Sequence, residues 1–294
     1  MNAQSQAHHR SVVITGSSSG IGRASALRLA SHGFQVFAGV RRPADGAARR
    51  SAGGEAIVPI ILDVTQAESI ASAAGDVTRQ LGGRPLHGLV NVAGIGIAGP
   101  VEYVTPAELR GMFEVDVFGQ IAVTQAFLPL VRQARGRIVN ISSVGAHIAM
   151  PFGGVLGAAK SALGALTDAL RLELRPFGVR VVTIEPGAIN TPALDKTLGD
   201  VEGRIATLPP EGARRYGAMW RRFNRRAYAQ ERAGSPPEVV ARAVLHALTA
   251  ANPRPRYVVG KHARLLTTLA RVLPDRELDA MRSRIFGLPA AAGE

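Results

Sequence analysis

The chain has 294 residues, of which 46% are hydrophobic, and carries a formal net charge of +13. This length and composition fit one large α/β domain and argue against disorder. The chain contains no cysteine, which excludes disulfides, thiolate metal sites and a cysteine nucleophile. No apolar run approaches the ~18 residues that a membrane span needs, and the N-terminal MNAQSQAHHR lacks the apolar core of a secretion signal. We therefore expect a cytoplasmic protein with a flexible N-terminus over residues 1–9 and no metal site.

Short β-branched runs alternate with longer helical patterns from residue 10 onward. The predicted strands cover 11–15, 35–40, 56–64, 87–94, 136–142, 179–186 and 256–260, and the predicted helices lie near 21–31, 66–81, 106–133, 155–175 and 236–250. Several strands are apolar at consecutive positions, as expected for strands covered on both faces. The strand–helix order predicts one doubly wound parallel α/β sheet with ligands at the carboxyl ends of its strands.

Two segments depart from this alternation. Residues 190–235 form a long basic insertion, which we interpret as a substrate lid, and residues 261–294 follow the domain over 10–260 as a helical C-terminal extension. The net charge is +4 for residues 1–200 and +9 for residues 201–294. The densest stretch, RRYGAMWRRFNRR, is most simply a solvated helix face. The alternatives are a membrane surface to which the protein binds peripherally, a phosphate-bearing substrate or an acidic carrier protein. Nucleic acid is not expected, because no recognition motif accompanies the charge.

A glycine-rich loop follows the first strand and opens the first helix in VVITGSSSGIGRASAL. Gly16 allows a tight turn, while Gly20 and Gly22 allow a pyrophosphate to approach the backbone at the helix N-terminus. Because a strand precedes the loop and a helix follows it, a plain turn is the weaker interpretation. The predicted dinucleotide contacts are Gly16, Ser18, Ser19, Gly20, Ile21 and Gly22.

The spacing T-G-x-x-x-G-x-G, with the motifs after it, resembles the short-chain dehydrogenase/reductase family over residues 10–260. LDV at 62–64, NVAG at 91–94, ISS at 141–143 and PGAINTP at 186–192 follow in the family's order. The resemblance implies a single Rossmann-type domain with about seven strands in the order 3-2-1-4-5-6-7, and a homodimer or homotetramer. It also implies cofactor contacts from Asp63, Val64, Asn91, Ala93, Gly94, Lys160, Pro186, Gly187 and Thr191. The loop GPVEYV and the long lid are most similar to steroid and retinol dehydrogenases of the classical branch.

The end of the second strand, FAGVRRP, bears on the choice of cofactor. An NAD-preferring member would have an acidic residue near position 40, where this chain has Val40 followed by Arg41 and Arg42. A carboxylate there would repel a 2′-phosphate, whereas an arginine can pair with it. We therefore favour NADP(H) over NAD(H); the competing interpretation is that both arginines only face solvent.

The family's catalytic motif is Y-x-x-x-K with a serine thirteen residues before the tyrosine. Lys160 and Ser143 match, but Leu156 occupies the tyrosine position. Leucine has no proton to offer, and loss of a general acid costs on the order of 10²–10⁴-fold in rate. Tyr216 or Tyr228 in the lid, or His147, are candidate replacements, although His147 is more simply a residue of the substrate pocket. We predict an apolar pocket that includes His147, Met150 and Phe152.

A second departure is Asp116, which stands where the family usually has an asparagine beside the lysine. It is either a tolerated near-isostere or the partner of Lys160 in an ion pair that keeps the ammonium charged without the tyrosine. The favoured function is an NADP(H)-binding oxidoreductase for a hydrophobic alcohol or ketone, with weakened or rerouted proton transfer. The alternatives are a cyclase, lyase, isomerase or pseudoenzyme on the same scaffold, and an ordinary dehydrogenase in which Leu156 is an engineered substitution.

Overall fold

A parallel seven-stranded sheet with strand order β3-β2-β1-β4-β5-β6-β7 forms the centre of the protein. The computed structural model describes residues 10–46 and 54–289, so the predicted flexible segment 1–9 and the last five residues of the predicted extension lie outside the described residues. The strands are β1 Arg10–Ile14, β2 Phe34–Val40, β3 Ile57–Ile61, β4 Gly88–Asn91, β5 Arg137–Ile141, β6 Arg180–Pro186 and β7 Arg256–Val259. The predicted doubly wound sheet, its strand order and the single Rossmann-type domain are confirmed.

Helices cover both faces of this sheet. In chain order they are α1 Gly20–Ala30, α2 Ala67–Leu81, α3 Pro106–Phe113, α4 Gly119–Gln133, α5 Gly154–Leu174, α6 Ala193–Leu198, α7 Val201–Ala206, α8 Pro210–Arg232, α9 Glu238–Thr249, α10 Ala263–Val272 and α11 Asp275–Phe286. Helices α1 and α9 bury their apolar residues on one face of the sheet, and α2, α4 and the end of α5 do so on the other. Among the helices of the described ranges, none is long and apolar enough to cross a membrane.

The predicted helix over 106–133 is divided by a π-helical turn at Glu114–Phe118, between α3 and α4. A capping box at Thr105 and Glu108 fixes the start of α3. Gly119 ends the π-turn where a Cβ would lie 2.5 Å from the carbonyl oxygen of Val64. The wide turn places Asp116 on the inner side of the helix, and such turns occur often at functional sites.

The predicted lid over 190–235 contains α6, α7 and α8. An ion pair of 2.7 Å between Arg204 and Glu108 fastens α7 to α3, and the hydroxyl of Tyr216 donates to Glu102. The side-chain amide of Asn224 donates to the carbonyl oxygen of Leu198, which holds α6 against α8. These polar contacts hold the lid helices against the loops that follow β4.

Candidate active site

The glycine-rich loop joins β1 to α1. At two of its positions the backbone geometry allows only glycine. Gly16 has φ +62°, in the left-handed region. A Cβ at Gly22 would lie 2.8 Å from the carbonyl carbon of Gly16 and closer still to its oxygen. Ser19 precedes the helix, and its side chain does not cap the first N–H groups. The exposed amides at this helix N-terminus fit the pyrophosphate of a dinucleotide.

The loops that follow β1 and β4 are bonded to each other beside this helix. The hydroxyl oxygen of Thr15 accepts hydrogen bonds from the backbone N–H groups of Val92 (2.8 Å) and Ala93 (2.9 Å). The side-chain amide of Gln120 donates to the carbonyl oxygen of Ala93. Ala93 and Gly94 are therefore fixed through the backbone, in a cleft at the carboxyl ends of two neighbouring strands. The motif pattern alone did not reveal the part played by Gln120.

The loop after β6 closes the other side of this cleft. Pro186 ends β6, and the N–H of Gly187 donates to the carbonyl oxygen of Val259. The side chain of Thr191 faces Gly20, where a Cβ would lie 3.2 Å from the Cβ of Thr191. The structure thus brings together the predicted pyrophosphate loop and Thr191, another predicted cofactor contact.

The predicted adenosine end of the site lies after β2 and β3. Arg42 forms an ion pair with Asp45, 3.0 Å from Nε to Oδ2, and this hydrogen bond raises the pKa of the guanidinium. Arg41 is exposed and, within the described ranges, has no ion pair. Asp63 accepts hydrogen bonds from the N–H and the hydroxyl of Thr65, while Val64 is buried. Arg41 is the better placed of the two arginines for a 2′-phosphate, because Asp45 does not neutralise it.

Asn91 is placed differently from a direct cofactor ligand. Its side chain is 1% exposed, and its amide donates to Thr124 (2.9 Å) and to Asn140 (2.8 Å). Asn140 in turn donates to the hydroxyl of Thr167. This buried network joins β4 and β5 to α4 and α5, so Asn91 acts on the site by fixing these elements.

Lys160 and Asp116 form a buried ion pair, with 2.9 Å between Nζ and Oδ2. Asp116 is fully buried, and its Oδ1 accepts a hydrogen bond of 2.8 Å from the N–H of Ile95. Lys160 is 8% exposed and also donates to the carbonyl oxygen of Ile141. A buried carboxylate without a partner would be strongly destabilising, so Asp116 needs its ion pair with the ammonium of Lys160. The carboxylate also packs against Gly94, which links the pair to the predicted cofactor cleft.

Leu156 lies one turn before Lys160 on α5 and therefore shares its face of the helix. Its side chain packs against an apolar cluster that includes Met112 and Val117. Ser143, at the end of β5, uses its oxygen to accept the N–H of Gly145 at 3.0 Å, which leaves its hydroxyl proton for another acceptor. The site thus has a positioned hydroxyl and a positioned ammonium, but a hydrocarbon at position 156.

His147 is bonded to a buried carboxylate beneath the loop that follows β5. Its Nε2 lies 2.8 Å from Oε1 of Glu185, which is fully buried in β6. Arg256 also pairs with Glu185, and it forms a second ion pair with Asp168 at 2.9 Å. These hydrogen bonds and ion pairs link the imidazole of His147 to the sheet and to α5. Its membership of the substrate pocket stays a prediction.

Met150 and Phe152 pack against the lid, and their place in the substrate pocket stays a prediction. Phe152 has φ +57° and lies in an aromatic cluster, stacked on Trp220 with ring centroids 5.8 Å apart and packed on Phe223 at 5.2 Å. Met150 packs against the same cluster. A bulky residue in the left-handed region is strained, and such strain persists where the surroundings enforce it. The lid helix α8 thereby supplies an apolar wall beside the site.

Glu231, near the end of α8, is a buried carboxylate that no sequence motif singled out. Burial raises its pKa to about 7, although the hydrogen bond from the N–H of Ile189 acts in the opposite direction. That hydrogen bond joins the lid to the loop that carries Thr191. The sequence does not indicate that Glu231 is buried, because it lies in a polar, arginine-rich helix. Only the packing of α8 on this loop buries the carboxylate.

Comparison with known proteins agrees with the fold and the motifs. The family model described as short chain dehydrogenase matches residues 10–201. Retinol dehydrogenase 5 of Mus musculus is 38% identical over 287 residues, covering 95% of this chain and 89% of the relative.

Two solved structures extend this agreement. A short-chain dehydrogenase from Burkholderia cenocepacia, solved in complex with NADP, is 26% identical and superposes with a TM-score of 0.70, covering 97% of this chain and 100% of that one. A short-chain dehydrogenase/reductase from Burkholderia phymatum, solved in complex with NAD, is 24% identical with a TM-score of 0.75, over 94% and 96% of the two chains.

The sheet, the glycine loop and the position of Lys160 define a nicotinamide-dinucleotide oxidoreductase fold. The chain belongs to the short-chain dehydrogenase family, and its relatives include retinol dehydrogenases.

The packing at Gly22 predicts the effect of one added methyl group. Gly22→Ala should weaken nucleotide binding at least tenfold, because its Cβ would displace the Gly16 carbonyl and with it the loop. Calorimetric titration with NADPH measures the change. Gly75→Ala on α2, where the added Cβ has ordinary space, is the matched control and should bind as the wild type does. Equal binding by both variants would contradict the assigned role of the loop.

The raised pKa of Glu231 predicts a pH-dependent stability. Its contribution is present below the ordinary glutamate value of 4.5 and is lost as the pH rises through about 7. Glu231→Gln should therefore match the wild type at pH 5 and exceed it at pH 8.5 by about 3 kcal/mol at most. Urea unfolding at both pH values tests this, with the exposed Glu173→Gln as control. A gain of the same size at both pH values would refute it.

Proposed function

We propose that this protein binds NADP(H) and interconverts a hydrophobic alcohol and ketone, with proton transfer altered by Leu156. The observation that carries the proposal is the combination of a complete dinucleotide cleft with a buried Asp116–Lys160 pair beside a leucine. The cofactor, when bound, supplies or accepts the hydride. The chain's own residues then bind, orient and shield the reacting groups.

Each polar residue of the site has a role that does not need a tyrosine. Lys160 would hold the ribose hydroxyls of the cofactor, since its ion pair with Asp116 fixes the ammonium at the cleft. Ser143 donates its free hydroxyl proton to the substrate oxygen and stabilises charge there. In the family pattern the lysine ammonium lowers the pKa of the tyrosine phenol. Here Leu156 stands at the tyrosine position, and its side chain has no proton to donate. We expect slow turnover, on the order of 10²–10⁴-fold below a site with a general acid.

The aromatic wall supports a hydrophobic substrate. Phe152, Trp220 and Phe223 form an aromatic cluster between the loop before α5 and the lid, and Phe286 of α11 packs behind Phe223 at 5.0 Å. Such a wall suits a polycyclic or long-chain alcohol better than a polar one. The name of the mouse relative, retinol dehydrogenase 5, agrees with this class of substrate.

The preference for NADP(H) is supported by the exposed guanidinium of Arg41 after β2, which forms no ion pair with the described residues. The solved relatives hold NADP in one case and NAD in the other, so they support dinucleotide binding in general. A 2′-phosphate at the end of β2 would gain a charge-assisted hydrogen bond from Arg41.

A second candidate function is nucleotide-dependent chemistry without redox, or binding without turnover. The observation in its favour is that the negative charge of Asp116 balances the positive charge of Lys160. The site therefore needs no phenolate to balance the ammonium. In that case NADP(H) is a structural ligand and the apolar pocket orients a substrate for cyclisation, elimination or isomerisation.

A double-mutant cycle at positions 156 and 116 distinguishes these functions. Leu156→Tyr should raise ketone-dependent NADPH oxidation by about tenfold, and Asp116→Asn combined with it should raise it further, toward 10²–10⁴-fold. The second gain is expected because the carboxylate neutralises Lys160 and weakens its effect on the phenol. Leu166→Tyr, a more exposed leucine on the same helix, should change nothing.

The cycle is read with two independent measurements. Nucleotide binding is followed by the fluorescence of Trp220, the single tryptophan, and turnover by NADPH absorbance. Variants that bind NADPH but reduce no hydrophobic ketone would refute the redox proposal and support the second candidate. Failure to bind either nucleotide would refute both.

The cofactor preference rests on Arg41 and is tested there. Arg41→Asp should weaken NADPH binding at least tenfold more than NADH binding, because it replaces an attraction to the 2′-phosphate by a repulsion. Titration of each nucleotide measures the ratio, and Arg110→Asp on the exposed side of α3 is the control. An equal loss of binding affinity for NADPH and NADH would show that Arg41 does not bind the 2′-phosphate.

A further inference from the structure

Helix α10 presents an apolar stripe that nothing in the described part of the chain covers. Leu265 is 58% exposed and Val272 is 66% exposed, and Leu269 lies between them at helical spacing. The helix is held to the protein by a different face, on which Ala263 and Thr267 are buried. The long apolar residues therefore point away from the core, where exposure to water is unfavourable.

Positive charge borders this stripe. Arg264 and Arg271, seven residues apart, share one side of α10, and both are exposed. Neither forms an ion pair within residues 10–46 and 54–289. Residues 261–289 carry six lysines or arginines and three acidic residues, which lie at the start of α11. A helix with an apolar face, flanking arginines and no acidic residue of its own is typical of an interfacial membrane helix.

The apolar surface continues from α10 onto the edge of the sheet. A shallow groove of about 360 Å³ lies beside strand β7 and is lined in part by Val239, Val258, Val259 and Leu265. Strand β7 is the last strand of the sheet and pairs with β6 alone. Leu265 belongs to both the stripe and the groove, so the two form one surface.

We propose that α10 docks this protein onto an anionic lipid bilayer, with Leu265, Leu269 and Val272 in the acyl boundary and Arg264 and Arg271 at the headgroups. The arginine border favours a lipid surface over a second copy, because two such helices would bring like charges together across a twofold axis. This inference is independent of the proposed catalytic function.

Co-sedimentation with vesicles tests the proposal on the full chain. The wild type should pellet with vesicles of 30% phosphatidylglycerol in phosphatidylcholine and remain in the supernatant with pure phosphatidylcholine. Leu265→Ser combined with Val272→Ser should reduce the pelleted fraction at least tenfold. Leu172→Ser, at a leucine of α5 that is 65% exposed, is the matched control and should bind as the wild type does.

A second pair of substitutions separates charge from apolar contact. Arg264→Gln with Arg271→Gln should weaken binding to the anionic vesicles by roughly 30-fold, or about fivefold for each arginine. Circular dichroism and size-exclusion chromatography with light scattering verify that each variant folds and report its oligomeric state. The proposal fails if the wild type does not pellet with anionic vesicles, or if the serine variant pellets equally well. It also fails if the serine substitutions convert a dimer to a monomer without any lipid binding, which would assign the stripe to a second copy.

Discussion

The site is organised around one buried ion pair, between Asp116 on the π-turn and Lys160 on α5. A carboxylate with no exposed surface needs a cation, and removing one member of such a pair typically costs 3–5 kcal/mol. The pair therefore fixes the π-turn against α5, and through Ile95 and Gly94 it fixes the loop that follows β4. The pair and the hydrogen bond from Lys160 to the carbonyl oxygen of Ile141 together position the ammonium beside the cofactor cleft.

The same pair changes the electrostatics of catalysis. An ammonium whose nearest partner is a buried carboxylate has less influence on a neighbouring phenol than one without a counterion. The two departures from the family pattern thus fit together. The tyrosine is replaced by Leu156, and the charge of Lys160 is balanced by Asp116 instead. The glycine-rich loop and the aromatic cluster around Phe152 include neither Leu156 nor Asp116. This separation allows cofactor binding to persist while proton transfer changes.

The lid and the C-terminal helices form the second organised region. Aromatic rings from the loop before α5, from α8 and from α11 pack into one buried cluster, which is therefore built from three distant segments. Glu231 joins the end of α8 to the loop that carries Thr191, and the apolar stripe of α10 lies outside this cluster.

The sequence by itself determined the class of fold and the dinucleotide loop, because these depend on local signals: β-branched runs, helix periodicity and glycines at fixed spacing. The strand order was expected only from the resemblance of the motifs to a known family. It also offered the Asp116–Lys160 ion pair as one of two interpretations of Asp116, and the tertiary structure decided between them. Only the tertiary structure decided which side chains of those motifs are buried.

Asn91 lies in a motif read as cofactor-binding, yet its amide joins buried strands and helices, and His147 is held by Glu185 from a distant strand. Glu231 and the exposed stripe of α10 depend on which face of a helix packs against the rest of the chain. That choice is made by contacts between segments far apart in sequence, and spacing along one segment does not encode it.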